Sequence, residues 1–138
     1  MTTRRLQERM KDEQERMKDE IDTYVAGGAS ENLAAIMSRL FGPIGYSPPI
    51  KSIEERKKSA SSALDFQYLA FDMLLLNDIQ HAREYLNQAI ALSQGNTSLE
   101  EVLANLSQVQ EVINNTRDAF DRLRVEKYGG RVFDDYLR

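Results

Sequence analysis

Apolar residues recur at alternating steps of three and four over a long stretch of the C-terminal half. The line runs Leu99, Val102, Leu106, Val109, Ile113, Thr116, Phe120, Leu123 and Lys127, a nearly unbroken heptad seam that predicts one helix. Taken from Ser98 to Lys127 at 1.5 Å per residue, that helix is roughly 45 Å long. Thr97 with Glu100, or Ser98 with Glu101, offers a capping box at its start, and Arg122, Arg124 and Lys127 sit where the negative end of the helix dipole favours cations. A second segment opens with another capping box, Ser52 and Glu55, and runs to about Leu76. From Ala63 to Leu76 it is apolar nearly all round, broken only by Asp65, Asp72 and Gln67, so it belongs at the centre of a bundle. Its first half, Glu54 to Lys58, mixes acids and bases within two turns and reads as a solvated extension.

Asn77-Asp78 interrupts the run, after which Ile79, Ala82, Tyr85, Leu86, Ala89, Ile90 and Leu92 form one broad apolar face. Taken as a helix pair, Phe66, Leu69, Ala70 and Met73 followed by Ala82, Leu86 and Ala89 resemble a single tetratricopeptide repeat, with small alanines where its helices touch. The resemblance covers about Ala63 to Gly95. It departs from the family at Asn77, where a turn glycine is usual, and at Gln94, where a closing proline is usual. Shifting by one repeat length puts Thr116 where another packing alanine belongs, so no second repeat follows. Because a solenoid needs about three repeats, the resemblance implies a TPR-like hairpin inside an ordinary bundle and not the family's peptide groove.

Before the Ser47-Pro48-Pro49 stretch, Ser30 can cap a short amphipathic helix bearing Leu33, Ile36, Met37, Leu40 and Phe41, ended by Gly42-Pro43. Its polar face has Glu31 and Arg39 in place of a lysine cluster, which favours packing on the bundle or on a partner over a membrane surface. Gly27-Gly28 and residues 42–49 read as hinges. Upstream, the heptad QERMKDE is written twice over residues 7–20. Its apolar line is thin: Met10, Met17 and Tyr24, flanked by Leu6, Ile21 and Val25, with Glu13 and Glu20 at the companion seam positions. Ion pairs three or four residues apart, such as Asp12 with Arg16, contribute about 0.2–0.5 kcal/mol each and favour a helix without fixing its place. Two readings follow: a solvent-exposed helix lying lightly on the bundle or frayed, or an arm whose flexible methionines pack against another subunit. Glutamate facing glutamate makes a homodimeric coiled coil of this segment weak, so a different partner surface suits the second. At the other end, after Gly129-Gly130, residues Val132, Phe133, Tyr136 and Leu137 gather on one face of a terminal turn, to dock on the bundle or on a neighbour.

Composition narrows the function more than it names it. Eighteen basic and 22 acidic residues give a net charge of −4, so no global positive field draws nucleic acid or an anionic membrane. There is no cysteine, and therefore no disulfide, thiolate nucleophile or thiolate metal ligand. No stretch approaches the roughly 20 apolar residues of a membrane span or forms a signal peptide, which points to a cytoplasmic protein or a soluble assembly. His81 is the only histidine. With Asp78 and Glu84 it lines one helix face, but bundle metal sites use two Glu-x-x-His elements, so metal is not expected. Phosphate-binding loops and nucleophile elbows are missing from the sequence, and without cysteine a triad would need His81 beside a serine and an acid, whereas Ser59, Ser61 and Ser62 form a small-residue cluster on a helical stretch. Asp65 and Asp72, two turns apart on an apolar helix, could be paired acids; the simpler expectation is that their line faces water or an arginine such as Arg117.

The sequence thus predicts an all-α bundle of four to five helices, with an extended N-terminal helix and a long C-terminal one. Residues 1–26 form a charged arm, 27–51 a short helix and linker, 52–128 the bundle core and 129–138 an aromatic tail. The function expected is a non-catalytic assembly or protein-interaction subunit, for instance of a virion or scaffold, with protein partners or self-association and no cofactor. The alternative is a TPR-like adaptor or chaperone that holds a client peptide. Candidate partner-binding residues are Met10, Met17, Tyr24, Leu40, Phe41, Phe133, Tyr136 and Leu137.

Overall fold

The computed structural model describes residues 2–42 and 52–128. These residues are helical, in seven segments: α1 (Thr2–Ala26), α2 (Glu31–Phe41), α3 (Ile53–Ser59), α4 (Ala63–Leu75), α5 (Ile79–Ser93), α6 (Thr97–Ala104) and α7 (Leu106–Tyr128). The all-α expectation holds. The larger number of helices among the described residues comes from two interruptions.

The first interruption splits the segment expected from Ser52 to Leu76. Ser52 caps α3 as expected, its side chain accepting from the Glu55 N–H. The chain then straightens at Ala60, and Ser62 starts α4 with a capping box of its own. Its hydroxyl accepts from the Asp65 N–H, while the Asp65 carboxylate accepts from the backbone N–H groups of Ser61 and Ser62. Asp65 is thus a cap, not half of an acid pair. The second interruption falls at Asn105, between α6 and α7. The cap of α6 is also one residue earlier than expected: the Asn96 carboxamide accepts from the Ser98 and Leu99 N–H groups.

α7 packs against α1, α4, α5 and α6, and α2 packs against α1 and α6. The core runs from Tyr24 through Leu33, Met37 and Phe41, the inward residues of α4 and α5, and the whole seam from Leu99 to Phe120. Phe41 stacks on Phe71, rings 4.8 Å apart, which fixes α2 over α4, and Tyr24 meets Phe120 at 5.0 Å, which fixes α1 on α7. α4 and α5 fold back on each other through the Asn77-Asp78 turn. Asn77 adopts φ 62°, and the Asp78 N–H reaches the Met73 carbonyl while the Asn77 N–H reaches Leu74. This is a Schellman closure in which asparagine tolerates the left-handed position usually given to glycine.

A polar row on α7 caps the end of α4 from the side. Gln110 donates to the Leu74 carbonyl at 2.9 Å and Arg117 to the Leu75 carbonyl at 2.7 Å. Asn114 accepts from Gln110 and donates to Asn77. Arg117 therefore serves the last carbonyls of α4, where the helix dipole favours a cation, and does not pair with Asp72 as the sequence suggested.

Candidate functional site

α1 is 25 residues long, about 37 Å at 1.5 Å per residue, and the surroundings of its described side chains change along it. At the C-terminal end, Tyr24 is buried and its hydroxyl donates to the Gly42 carbonyl. Burial, and the nearby Glu20, push this phenol above its ordinary range, which keeps it a donor. Gly27 lies so close to α7 that a Cβ there would overlap the Thr116 methyl. Asn115 donates to the Gly27 carbonyl at 3.0 Å and Gln108 to the Gly28 carbonyl at 3.3 Å. The Ala29 N–H closes back on the Tyr24 carbonyl, with Gly28 at φ 112°. The turn read as a hinge is fastened to α7 at both glycine carbonyls.

One turn before Tyr24, Glu20 is 5% exposed, between α1 and α2. The Ser38 hydroxyl of α2 donates to its Oε2 at 2.8 Å. Desolvation raises the Glu20 carboxyl above its ordinary value, opposed by the Ser38 hydrogen bond and by the positive field of Arg16 and assisted by Asp19. The heptad places Glu20 at the companion seam position, on the face of Tyr24; the structure adds its burial against Ser38 of α2.

One further turn out, the helix surface opens. Met17 is 48% exposed, and Gln14, Glu15, Lys18 and Asp22 are exposed too. Of the residues proposed to meet a partner, Met17 alone among the described side chains presents a largely open apolar surface. Tyr24 and Phe41 are buried and Leu40 half-buried. Phe41 is covered by Phe71, and the Leu40 carbonyl accepts from Gln67 at 3.0 Å. Tyr24 and Phe41 are occupied by the chain's own core, which removes them from any surface a partner could reach. The side chain of Met10, and Phe133, Tyr136 and Leu137, lie outside the described residues.

Elsewhere the structure brings together groups that the sequence kept apart. Arg56 of α3 pairs with Asp72 of α4 at 2.6 Å, with side chains 15% and 6% exposed. The run Glu54 to Lys58 is therefore not uniformly solvated: Lys57 meets Glu54 at the surface while Arg56 turns inward. A shallow open depression of about 290 Å3 sits at the break between α6 and α7, lined by Arg83, Leu103, Asn105 and Gln108 among others. His81 and Asp78 form a local pair at 2.7 Å at the start of α5, both with exposed or half-exposed side chains. Asp78 also caps α5, accepting from the His81 N–H. Among the described residues no three His, Cys, Asp or Glu side chains gather closely enough to hold a metal ion, and no helix is long and apolar enough to cross a membrane. Comparison with protein-family models, with known proteins and with solved structures gives no match to this chain.

Proposed function

We propose that the protein is a non-catalytic interaction or assembly subunit whose α1 arm is the contact element. The observation that carries this reading is the contrast along α1: its last turns are bolted to α2 and α7, while Met17, one turn before the buried Glu20, lies 48% exposed. A half-exposed methionine adapts to the shape of whatever it meets, and the charged residues around it keep the arm in solution until it does.

The test is the mass of the full chain by light scattering during size-exclusion chromatography, beside Met17→Glu and a chain lacking residues 1–19, which retains Tyr24 and its contacts. Self-association that both changes abolish supports the reading. Equal monomer masses for all three, with retained helicity, refute self-association through the arm. A second reading rests on the α4–α5 hairpin, where Ala70, Ala82 and Ala89 are fully buried between close helices; it is an adaptor that holds a client peptide. Peptide capture by a monomer whose arm has been removed would favour that reading.

A further inference from the structure

The seat of α1 on α2 contains an ionisable group where an apolar one would hold more tightly. Glu20 lies on the same face as Tyr24, 5% exposed, and the described hydrogen bond it receives there is the one from Ser38. Among the described residues, the charged groups near it are on its own helix: Arg16 one turn toward the N-terminus, which favours the carboxylate, and Asp19 beside it, which opposes it. From α2 comes only the neutral Ser38 hydroxyl, since the neighbouring Arg39 reaches away to the Ser98 hydroxyl at 3.0 Å. From α7, the described groups against α1 are Phe120, Thr116, Asn115 and Gln108, none ionisable. Tyr24, the remaining titratable neighbour among the described residues, keeps its proton on the Gly42 carbonyl.

We propose that Glu20 is a proton-operated latch on the arm: with its carboxyl protonated, α1 lies shut on α2, and with the carboxyl charged, the turns around residue 20 loosen from that seat. A carboxylate buried with one neutral donor is under-solvated, whereas the protonated acid is both a donor and an acceptor and tolerates the site. The sign follows from burial. The docked state binds the proton more readily than the free arm does, so docking is strongest below the ordinary carboxylate range and weakens as pH rises through the raised value. Fixed points at Tyr24 and Gly27 confine the loosening to the turns on the N-terminal side, where Met17 stands. What the loosened arm then does rests on the assembly reading above; the latch itself does not.

Hydrogen exchange of the full chain, at concentrations where it is monomeric, tests the latch without reference to any partner. Protection factors corrected for intrinsic exchange are compared between about pH 5 and about pH 8. In the wild type, the amides of residues 16–23 should lose protection several-fold toward alkaline pH while those of α4 and α5 do not. Glu20→Gln, neutral at every pH, should keep the acid level throughout. If Glu20→Gln does not fold, Ser38→Ala supplies the check: loss of the donor leaves the carboxylate less solvated and should deepen the alkaline loss. The proposal is overturned if wild-type protection in α1 is flat with pH, if Glu20→Gln shows the same fall, if the fall spreads equally over α4 and α5, or if Ser38→Ala leaves the alkaline loss no deeper. Loss of self-association with the latch intact would instead remove the assembly reading alone.

Discussion

At Gly27 the closeness of two helices depends on a missing carbon. The position an added Cβ would take overlaps the Thr116 methyl and comes within 3.2 Å of the Val112 carbonyl. Thr116 cannot move aside easily, since its own hydroxyl donates to that same carbonyl at 2.8 Å. Gly27→Ala should therefore destabilise by about 1–3 kcal/mol, the usual cost of overpacking, read from the shift in urea midpoint. Thr116→Ser removes the overlapping methyl, so Gly27→Ala combined with Thr116→Ser should cost less than the sum of the two single changes. A strictly additive pair would show that the contact is not tight. Asp78 offers a residue-scale prediction of a different kind. Hydrogen bonds from the His81 N–H and from its ring hold the Asp78 carboxyl below its ordinary range. Its contribution is present at neutral pH and is lost as pH falls through that lowered value. The stability difference between wild type and Asp78→Ala should accordingly shrink on acidification, seen as converging urea midpoints, and a gap that persists in strong acid would rule the carboxylate out as its source.

At the scale of elements, α3 is the least secured. None of its seven residues is buried, and Ile53 is its half-buried contact with the core, so the Arg56–Asp72 pair does most of the fastening. Removing one partner of a largely buried pair strands the other, ordinarily at a cost of about 3–5 kcal/mol, but a short helix can escape that cost by carrying its arginine into water. Asp72→Asn should thus strip protection from residues 53–59 in hydrogen exchange while α4 keeps its own. Joint loss of α3 and α4 would mean that the pair holds the core and not the flap. The same two elements show what could be read in advance. The apolar surface of 63–76 announced a central helix, and Ser62 with Asp65 spelled a capping box that locates the break. The pull of Ser52 and Glu55 upstream concealed it, because a second start inside an apparent helix looks like mere continuation. Asn105 was harder to find. The seam keeps its three-four spacing across it, from Val102 to Leu106 and Val109, all buried, so periodicity alone cannot register the interruption. At the break the Asn105 side chain adds a second hydrogen bond to the Glu101 carbonyl at 2.9 Å, beside the one from its own N–H at 3.1 Å. As for the candidate site, the helix, its exposed Met17 and the seam position of Glu20 were legible, but the burial of Glu20 against α2 was not. Its partner Ser38 is eighteen residues away, on another helix.

Across the whole molecule, α7 decides whether the chain behaves as one unit or as a bundle with appendages. It touches α1 through Phe120, Thr116 and Asn115, closes α4 through Gln110 and Arg117, and packs on α5 and α6 as well. α2 closes the circuit from α1 to α6, with Arg39 on Ser98. No cut between the described helices separates an apolar core from a second one, since the buried set is contiguous from Tyr24 to Phe120. Damage on one side should then be felt on the other. Leu86, fully buried on α5, makes the test: Leu86→Ala should cost about 2–5 kcal/mol through the cavity it leaves, while the transition stays single. Helix loss followed by circular dichroism and tyrosine fluorescence should coincide in urea, shifted together from the wild type. Two separated transitions, with the α1–α2–α7 side surviving the loss of α4 and α5, would show that α7 merely rests on the hairpin. Coincidence would show that the arm is anchored in the same cooperative core that the hairpin builds, so whatever pulls on α1 from outside is resisted by the whole chain.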